Sequence, residues 1–480
     1  MTRPFRSGAS RRSFLSAIGG LAASAAVPPG ALPLAAQLAG LAGLATQVSP
    51  SHAATTTGYK ALVCLYLSGG SDTHNWVVPI DPTGYADYAK VRAELTLPLA
   101  GLQPITVTGQ GVGRLFGMPA ELAPLRTLYE AGQAAIVANV GPLQRPITKA
   151  EYQAGLGLPS KLFSHNDQAS TWQSLSPEGA PSGWGGRMGD ILMSANAQPI
   201  FTAVSASGNA VFLAGSQVSQ YQVGPEGPVL AAPLTNASVF GSSTAGSALQ
   251  RAYATTPTDR LQLEYARVMQ RGISANSALQ AALASVSVPA IPTTAIAQPN
   301  GAATTLDKLS LTRQLRMVLQ IMAANQTLGM RRQVFLVQMG GFDTHNNQMR
   351  DQPAHMAQVA QSVSYFMSAL GTLGLQNNVT LFTASDFGRT LTSNGDGSDH
   401  GWGSHHFVVG GAVRGRQMYG SFPATALGTA DDVGSGRLLP STSVTQLASS
   451  LAGWMGLSTT EQQIVLPNLG NFGAGPALLA

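Results

Sequence analysis

The chain has 480 residues, 54 of them Gly and 29 Pro, with 44% hydrophobic and only 10% charged. That charge content is far below the roughly one quarter of an ordinary soluble domain. It excludes charge-driven disorder, while the absence of a Gly-X-Y period excludes a collagen-like chain and a lone cysteine, Cys64, excludes a disulfide scaffold.

The formal net charge of +5 suggests a nucleic-acid partner until residues 1–54 are read. They hold Arg3, Arg6, Arg11 and Arg12 and no acidic residue. A basic start, an Ala/Leu/Gly-rich middle and closing small residues are the layout of a signal peptide. The run Ser10-Arg11-Arg12-Ser13-Phe14-Leu15 resembles the twin-arginine (Tat) export signal. Pro28, Pro29 and Pro33 interrupt the apolar stretch and argue against a permanent membrane span. Cleavage fits near Ser51-His52-Ala53-Ala54 or at residues 24–26. Without the four Arg, 23 basic residues face 22 acidic ones, and no Lys/Arg cluster remains to hold nucleic acid. The expected product is a bacterial periplasmic, cell-surface or secreted protein whose partner during export is the Tat translocase.

After the leader, residues 55–480 read as one domain. Short apolar runs at 61–67, 134–140, 333–339, 378–384 and 406–413 predict strands, with helical patterns between them at 119–131, 258–285, 306–328, 352–373 and 443–455. This alternation predicts an α/β fold with a mainly parallel central sheet flanked by helices. The Gly/Ser/Ala-rich stretch 195–250 reads as an inserted cap, and the Pro/Ala/Thr-rich stretch 285–305 as a surface loop. Cys64, inside an apolar run, reads as an inert core thiol.

The polar motifs cluster where strands end, which is where ligands bind in open α/β sheets. Gly69-Gly70-Ser71-Asp72-Thr73-His74 follows the first strand, and Asp72 reads either as a metal ligand or as a turn Asp bonding local amides. Gly340-Gly341-Phe342-Asp343-Thr344-His345 follows the strand at 333–339; a carboxylate and an imidazole two residues apart are a good metal pair. Ser385-Asp386-Phe387-Gly388-Arg389 follows the strand at 378–384, with Asp386 as a third carboxylate and Arg389 suited to clamp an oxyanion. Asp399-His400-Gly401-Trp402-Gly403-Ser404-His405-His406 holds three His within seven residues. Ser164, before His165-Asn166-Asp167, stands where a helix N-cap would stand, as a capping residue or as a nucleophile beside metal. Dinucleotide, phosphate-loop, serine-hydrolase-elbow and CxxC motifs are all absent.

The stretches LYLSGGSDTHNWVVP, LFSHNDQASTW, MGGFDTHNNQ, SDFGRT and DHGWGSHHFVVGGAVRG, with the tail LPSTSVTQLASSLAGWMGLS, resemble the bacterial family called domain of unknown function 1501. That family is grouped with the alkaline-phosphatase/sulfatase superfamily. The resemblance implies an alkaline-phosphatase/sulfatase-like fold holding one or two divalent ions (zinc, calcium, magnesium or manganese) at its strand ends. Carried over, Asp72, Asp343, His345 and Asp386 match the superfamily's ligand positions. Phe387 stands where a His is usual, and Asp399-His400 would supply the missing imidazole, with His405 or His406 as the last ligand. Ser164 would be the nucleophile and Arg389 the oxyanion holder. The implied activity is hydrolysis of a phosphate or sulfate ester, small or polymer-borne. A non-catalytic binding or assembly protein that retains the fold is the alternative, and a metal-dependent oxidoreductase using the His cluster a weaker third.

Replacing Arg11 and Arg12 by Lys is expected to keep the full-length chain in the cytoplasm on cell fractionation; undiminished export of that variant would contradict the Tat reading.

Overall fold

The computed structural model describes residues 58–228, 241–254 and 259–480, so the leader lies outside the described residues. In chain order the central sheet takes β1 (Lys60–Leu67), β2 (Ala134–Gly141), β3 (Ala203–Ser205), β4 (Tyr221–Gln222), β5 (Arg332–Met339) and β6 (Val379–Ser385). A separate two-stranded ribbon follows, β7 (Arg389–Ser393) with β8 (Ser398–His400), before β9 (Ser404–Val409), β10 (Met418–Tyr419) and β11 (Thr442–Ser443) return to the sheet. The spatial order is β10-β2-β9-β6-β1-β5-β3-β4, with β11 also on β2. Every pairing in it is parallel except those of β9 with β6 and β2. This is the mainly parallel α/β architecture the sequence predicts.

The apolar runs form strands because both faces of the sheet are covered. Ala61, Val63, Leu65 and Leu67 enter one core and Leu62, Cys64 and Tyr66 the other, following the two-residue period of a strand. The eight helices used below are α1 (Pro82–Arg92), α2 (Ala123–Glu130), α3 (His165–Ser174), α4 (Trp184–Leu192), α5 (Arg260–Ala284), α6 (Ser310–Ala323), α7 (Gln348–Thr372) and α8 (Val444–Met455). α6 and α7 bury Leu315, Val318, Val359 and Phe366 on the first face. α4 and α8 bury Met188, Leu192, Leu447 and Leu451 on the second. α8 is bounded by local chemistry. A Ser443/Gln446 capping box opens it, and Gly456 at φ +104° closes it.

Two expectations change. The stretch 195–250 is not wholly a cap, because β3 and β4 inside it extend the main sheet from β5. At two and three residues they are too short to produce a periodic signal. Within 285–305, Ala295–Ala297 pairs antiparallel with Ala303–Thr305. Among the described residues no helix is long and apolar enough to cross a membrane.

Register places the site. Leu67 of β1 lies opposite Met339 of β5 and Ser385 of β6. The loops carrying Gly69-Gly70, Asp343 and Asp386 therefore leave the sheet side by side. They approach so closely that a side chain on Gly69 would meet the Asp343 backbone nitrogen at 2.5 Å, and one on Gly70 the Phe387 ring at 2.3 Å. Gly70 also has φ +81°. Gly70→Ala is expected to lower unfolding free energy by about 2–5 kcal/mol, from a left-handed backbone penalty of roughly 1–2 and overpacking of roughly 1–3. A loss below about 1 kcal/mol in urea denaturation would contradict this packing.

Candidate metal centre

Asp343, four residues beyond the end of β5, is the centre of the cluster. Arg389 opens β7 with its side chain fully buried and donates from Nη1 to Asp343 Oδ1 at 2.7 Å. Burial pushes the Asp343 carboxyl up, but the hydrogen bond and charge of Arg389 outweigh it and hold the group below the usual carboxylate range. Three imidazoles surround this anion. His345 Nε2 is 3.2 Å and His400 Nε2 3.5 Å from Oδ1, and His165 Nε2 is 3.5 Å from Oδ2. His345 Nε2 and His400 Nε2 are 2.8 Å apart. The ligand atoms of His165, Asp343 and His400 all lie within 4.8 Å of one another.

Each ring is oriented from behind. His165 Nδ1 meets Asp386 Oδ2 at 2.7 Å, His345 Nδ1 meets Asp399 Oδ1 at 3.1 Å, and His400 Nδ1 meets the Phe163 carbonyl at 2.8 Å. A carboxylate or carbonyl only accepts, so each Nδ1 is placed to donate and each ring turns its Nε2 toward Asp343. Metal-ligating histidines are oriented in this way. The orienting groups are themselves fixed. Tyr66 Oη–H and the Gly69 N–H donate to Asp386 at 2.7 and 3.2 Å. Asn394 donates to Asp399 at 3.1 Å, which with His345 holds that carboxyl below its usual range. Phe163 reaches φ +70° to aim its carbonyl, a backbone state that a bulky residue adopts only under constraint. Burial lowers the His400 pKa, keeping that ring a lone-pair donor.

The candidates from the sequence divide clearly. Asp343, His345 and His400 come together, while Asp386 and Asp399 stand behind rings rather than among the converging atoms. Asp72 is elsewhere. Its Oδ2 accepts from Arg92 Nη2 at 2.6 Å, with both side chains buried, and from Gln348, while Oδ1 caps the His74 N–H at 3.0 Å. His405 and His406 are neighbours on a strand, so they must face opposite ways. His405 Nδ1 accepts the Asn139 N–H at 3.2 Å and its ring stacks on Phe422 at 4.4 Å. His406 sits between Ser404 and Thr383, edge-on to Trp172. Arg389 is committed to Asp343, the Gly69 carbonyl and Ser398, and is not an open oxyanion clamp. Ser164 begins α3 without capping it, and its Oγ–H donates to Asp167 Oδ2 at 2.9 Å.

Sequence reasoning missed His165. It stood beside Ser164 in a motif already singled out, and its place at the first turn of α3 was the available signal. Its partner Asp386 is 221 residues away. Next to the cluster opens a cleft of about 840 Å³, lined by His165, Asp343, Asp386, Gln173, Glu178 and Asn209 among others.

Burial holds the His406 pKa at about 3 and lowers those of His405 and His74 in the same direction. Unfolded histidine titrates near 6.5. The stability the neutral His406 ring contributes is therefore complete above about pH 6.5 and is lost as pH falls toward 3, by about 1.4 kcal/mol per pH unit, and the lowered His405 and His74 act in the same direction. Urea unfolding should show stability falling from pH 6.5 to 4, with a shallower slope in His406→Gln; a flat profile would contradict the burial of these rings.

Among solved structures, the chain is similar to the PsFucS1 sulfatase from Pseudoalteromonas sp., at 9% identity over 91% of this chain and 74% of that one, TM-score 0.36. It is similar to Ps i-CgsB in complex with k-i-k-neocarrahexaose at 11% identity over 86% and 77%, TM-score 0.35. It is similar also to the lipoteichoic acid synthase LtaP from Listeria monocytogenes at 7% identity over 88% and 78%, TM-score 0.34. No curated protein matches the sequence. The family described as "Protein of unknown function (DUF1501)" matches residues 59–460, and the chain belongs to that family.

Proposed function

We propose that the protein is an exported, metal-dependent hydrolase that acts on a phosphate or sulfate ester in the cleft beside Asp343. The observation that carries this reading is that three imidazole Nε2 atoms lie within 3.5 Å of one carboxylate at the edge of an 840 Å³ cleft. His165, Asp343, His345 and His400 would hold the cation. A divalent ion there supplies Lewis-acid polarisation of the ester oxygens.

The chain's own groups perform the rest. Ser164, next in the chain to the cleft-lining His165, would supply the nucleophile: its Oγ bonds to phosphorus or sulfur, its proton passes to Asp167 Oδ2, to which the hydroxyl already donates at 2.9 Å, and as the bond to the ester oxygen breaks that oxygen takes the proton and leaves as the alcohol. Water then releases phosphate or sulfate from Ser164. Arg389 acts through Asp343, fixing its orientation and keeping it anionic.

The second reading is a non-catalytic binding or assembly protein. It draws on one observation. The cleft lining includes no Lys or Arg, and Arg389 is occupied, so no side-chain cation stands free there to hold an oxyanion.

Turnover of a panel of aryl and sugar phosphates and sulfates by metal-loaded protein separates the two. Asp343→Ala should lower kcat/KM by more than about 100-fold, and Ser164→Ala by about 100-fold or more, the scale of losing a group that acts in the transition state. A metal-loaded protein inert to the whole panel would sink the hydrolase and leave the binding reading.

A further inference from the structure

We infer that this cluster is a nitrogen-rich site, three imidazoles and one carboxylate, that selects a borderline first-row transition ion of the zinc, cobalt and nickel class and rejects calcium and magnesium. The inference rests on the cation-binding half of the reading above and not on hydrolysis.

Three observations lead there. The first is the count of donors. The atoms that converge are His165 Nε2, His345 Nε2, His400 Nε2 and the Asp343 carboxylate. Each Nδ1 is taken by Asp386, Asp399 or the Phe163 carbonyl, which leaves Nε2 as the ligand atom of each ring, and those of His345 and His400 lie 2.8 Å apart.

The second is charge. Asp343 is the one anion among the four, and Arg389 sits 2.7 Å from its Oδ1. Ligands and guanidinium together sum to no net charge. Hard cations bind through charge and through many oxygens, six to eight for calcium and an octahedron for magnesium. Here the oxygens are lacking, because one carboxylate stands among the four ligands and Asp386 and Asp399 face the rings instead. Attraction must come from the imidazole nitrogens, which favour ions toward the copper and zinc end of the Irving–Williams order.

The third is what the remaining carboxylates do. Asp386 and Asp399 are each turned to an Nδ1. Asp72 is locked to Arg92. The carboxylates that would make a calcium site are used to aim the rings. His165 and Asp343 line the cleft, so an exogenous ligand reaches the ion from that side.

The test is titration of chelator-treated full-length mature protein with each metal alone, followed by calorimetry and, for cobalt, visible absorption. Zinc and cobalt should bind at one equivalent at least about 100-fold more tightly than calcium or magnesium. Cobalt should give the ligand-field bands of nitrogen coordination. His165→Ala, His345→Ala and His400→Ala should each weaken binding about 100-fold and alter the cobalt bands. Asp386→Asn should weaken it about 10–100-fold, the usual effect of losing an orienting partner, with the bands retained. Calcium or magnesium binding as tightly as zinc would overturn the inference. So would unchanged zinc binding in the histidine variants. If a variant fails to fold by circular dichroism, the metal ranking of the unaltered protein decides alone. Tight zinc binding without ester turnover would sink the hydrolase but leave this inference standing, whereas calcium-dependent turnover would do the reverse.

Discussion

The pairing of Asp343 with Arg389 is the constraint on which the site depends. Without the guanidinium, a half-exposed carboxylate among three imidazoles would be free to rotate or take up a proton. At 2.7 Å, Arg389 removes both freedoms. It also offsets the charge of Asp343, leaving Asp386 and Asp399 behind the rings as the uncompensated anions of the cluster. One contact thus sets the geometry of the centre and the kind of ion it can hold.

Arg389 is in turn held from below. It donates to the Ser398 carbonyl, and Ser398 Oγ donates to Gln348 Oε1 at 2.6 Å. Gln348 donates to Asp72, which pairs with Arg92, and Arg92 donates to the carbonyls of Thr390 and Leu391 in the same ribbon. A buried ion pair contributes little net stability, yet losing one partner leaves an uncompensated charge that costs about 3–5 kcal/mol. Asp72 is thus part of the floor beneath the site and not of its ligand set.

The sheet was legible because continuous apolar runs of seven or eight residues have few alternatives, and strand ends are where a parallel sheet presents ligands. Asp343 and His345 were legible for that reason, and His400 through the crowding of three His within seven residues. What remained hidden was direction. Asp72 and Asp386 follow their strands as Asp343 does, but one turns inward to Arg92 and the other sideways to His165. His405 or His406 looked like the last ligand, but strand alternation sends the two to opposite faces, where each is taken by other partners. His165 was hidden by distance along the chain, since only the fold brings α3 to the loop after β6. The edge strands β3 and β4 were hidden by their brevity.

The central claim is that His165, Asp343, His345 and His400 hold one cation through three Nε2 atoms. Anomalous diffraction from crystals grown with zinc tests it most directly. The account predicts a single strong peak about 2.0–2.1 Å from each Nε2 and beside the Asp343 carboxylate. A peak ligated instead by Asp72, Asp386 or His405, or no ordered peak within the cluster, would contradict it.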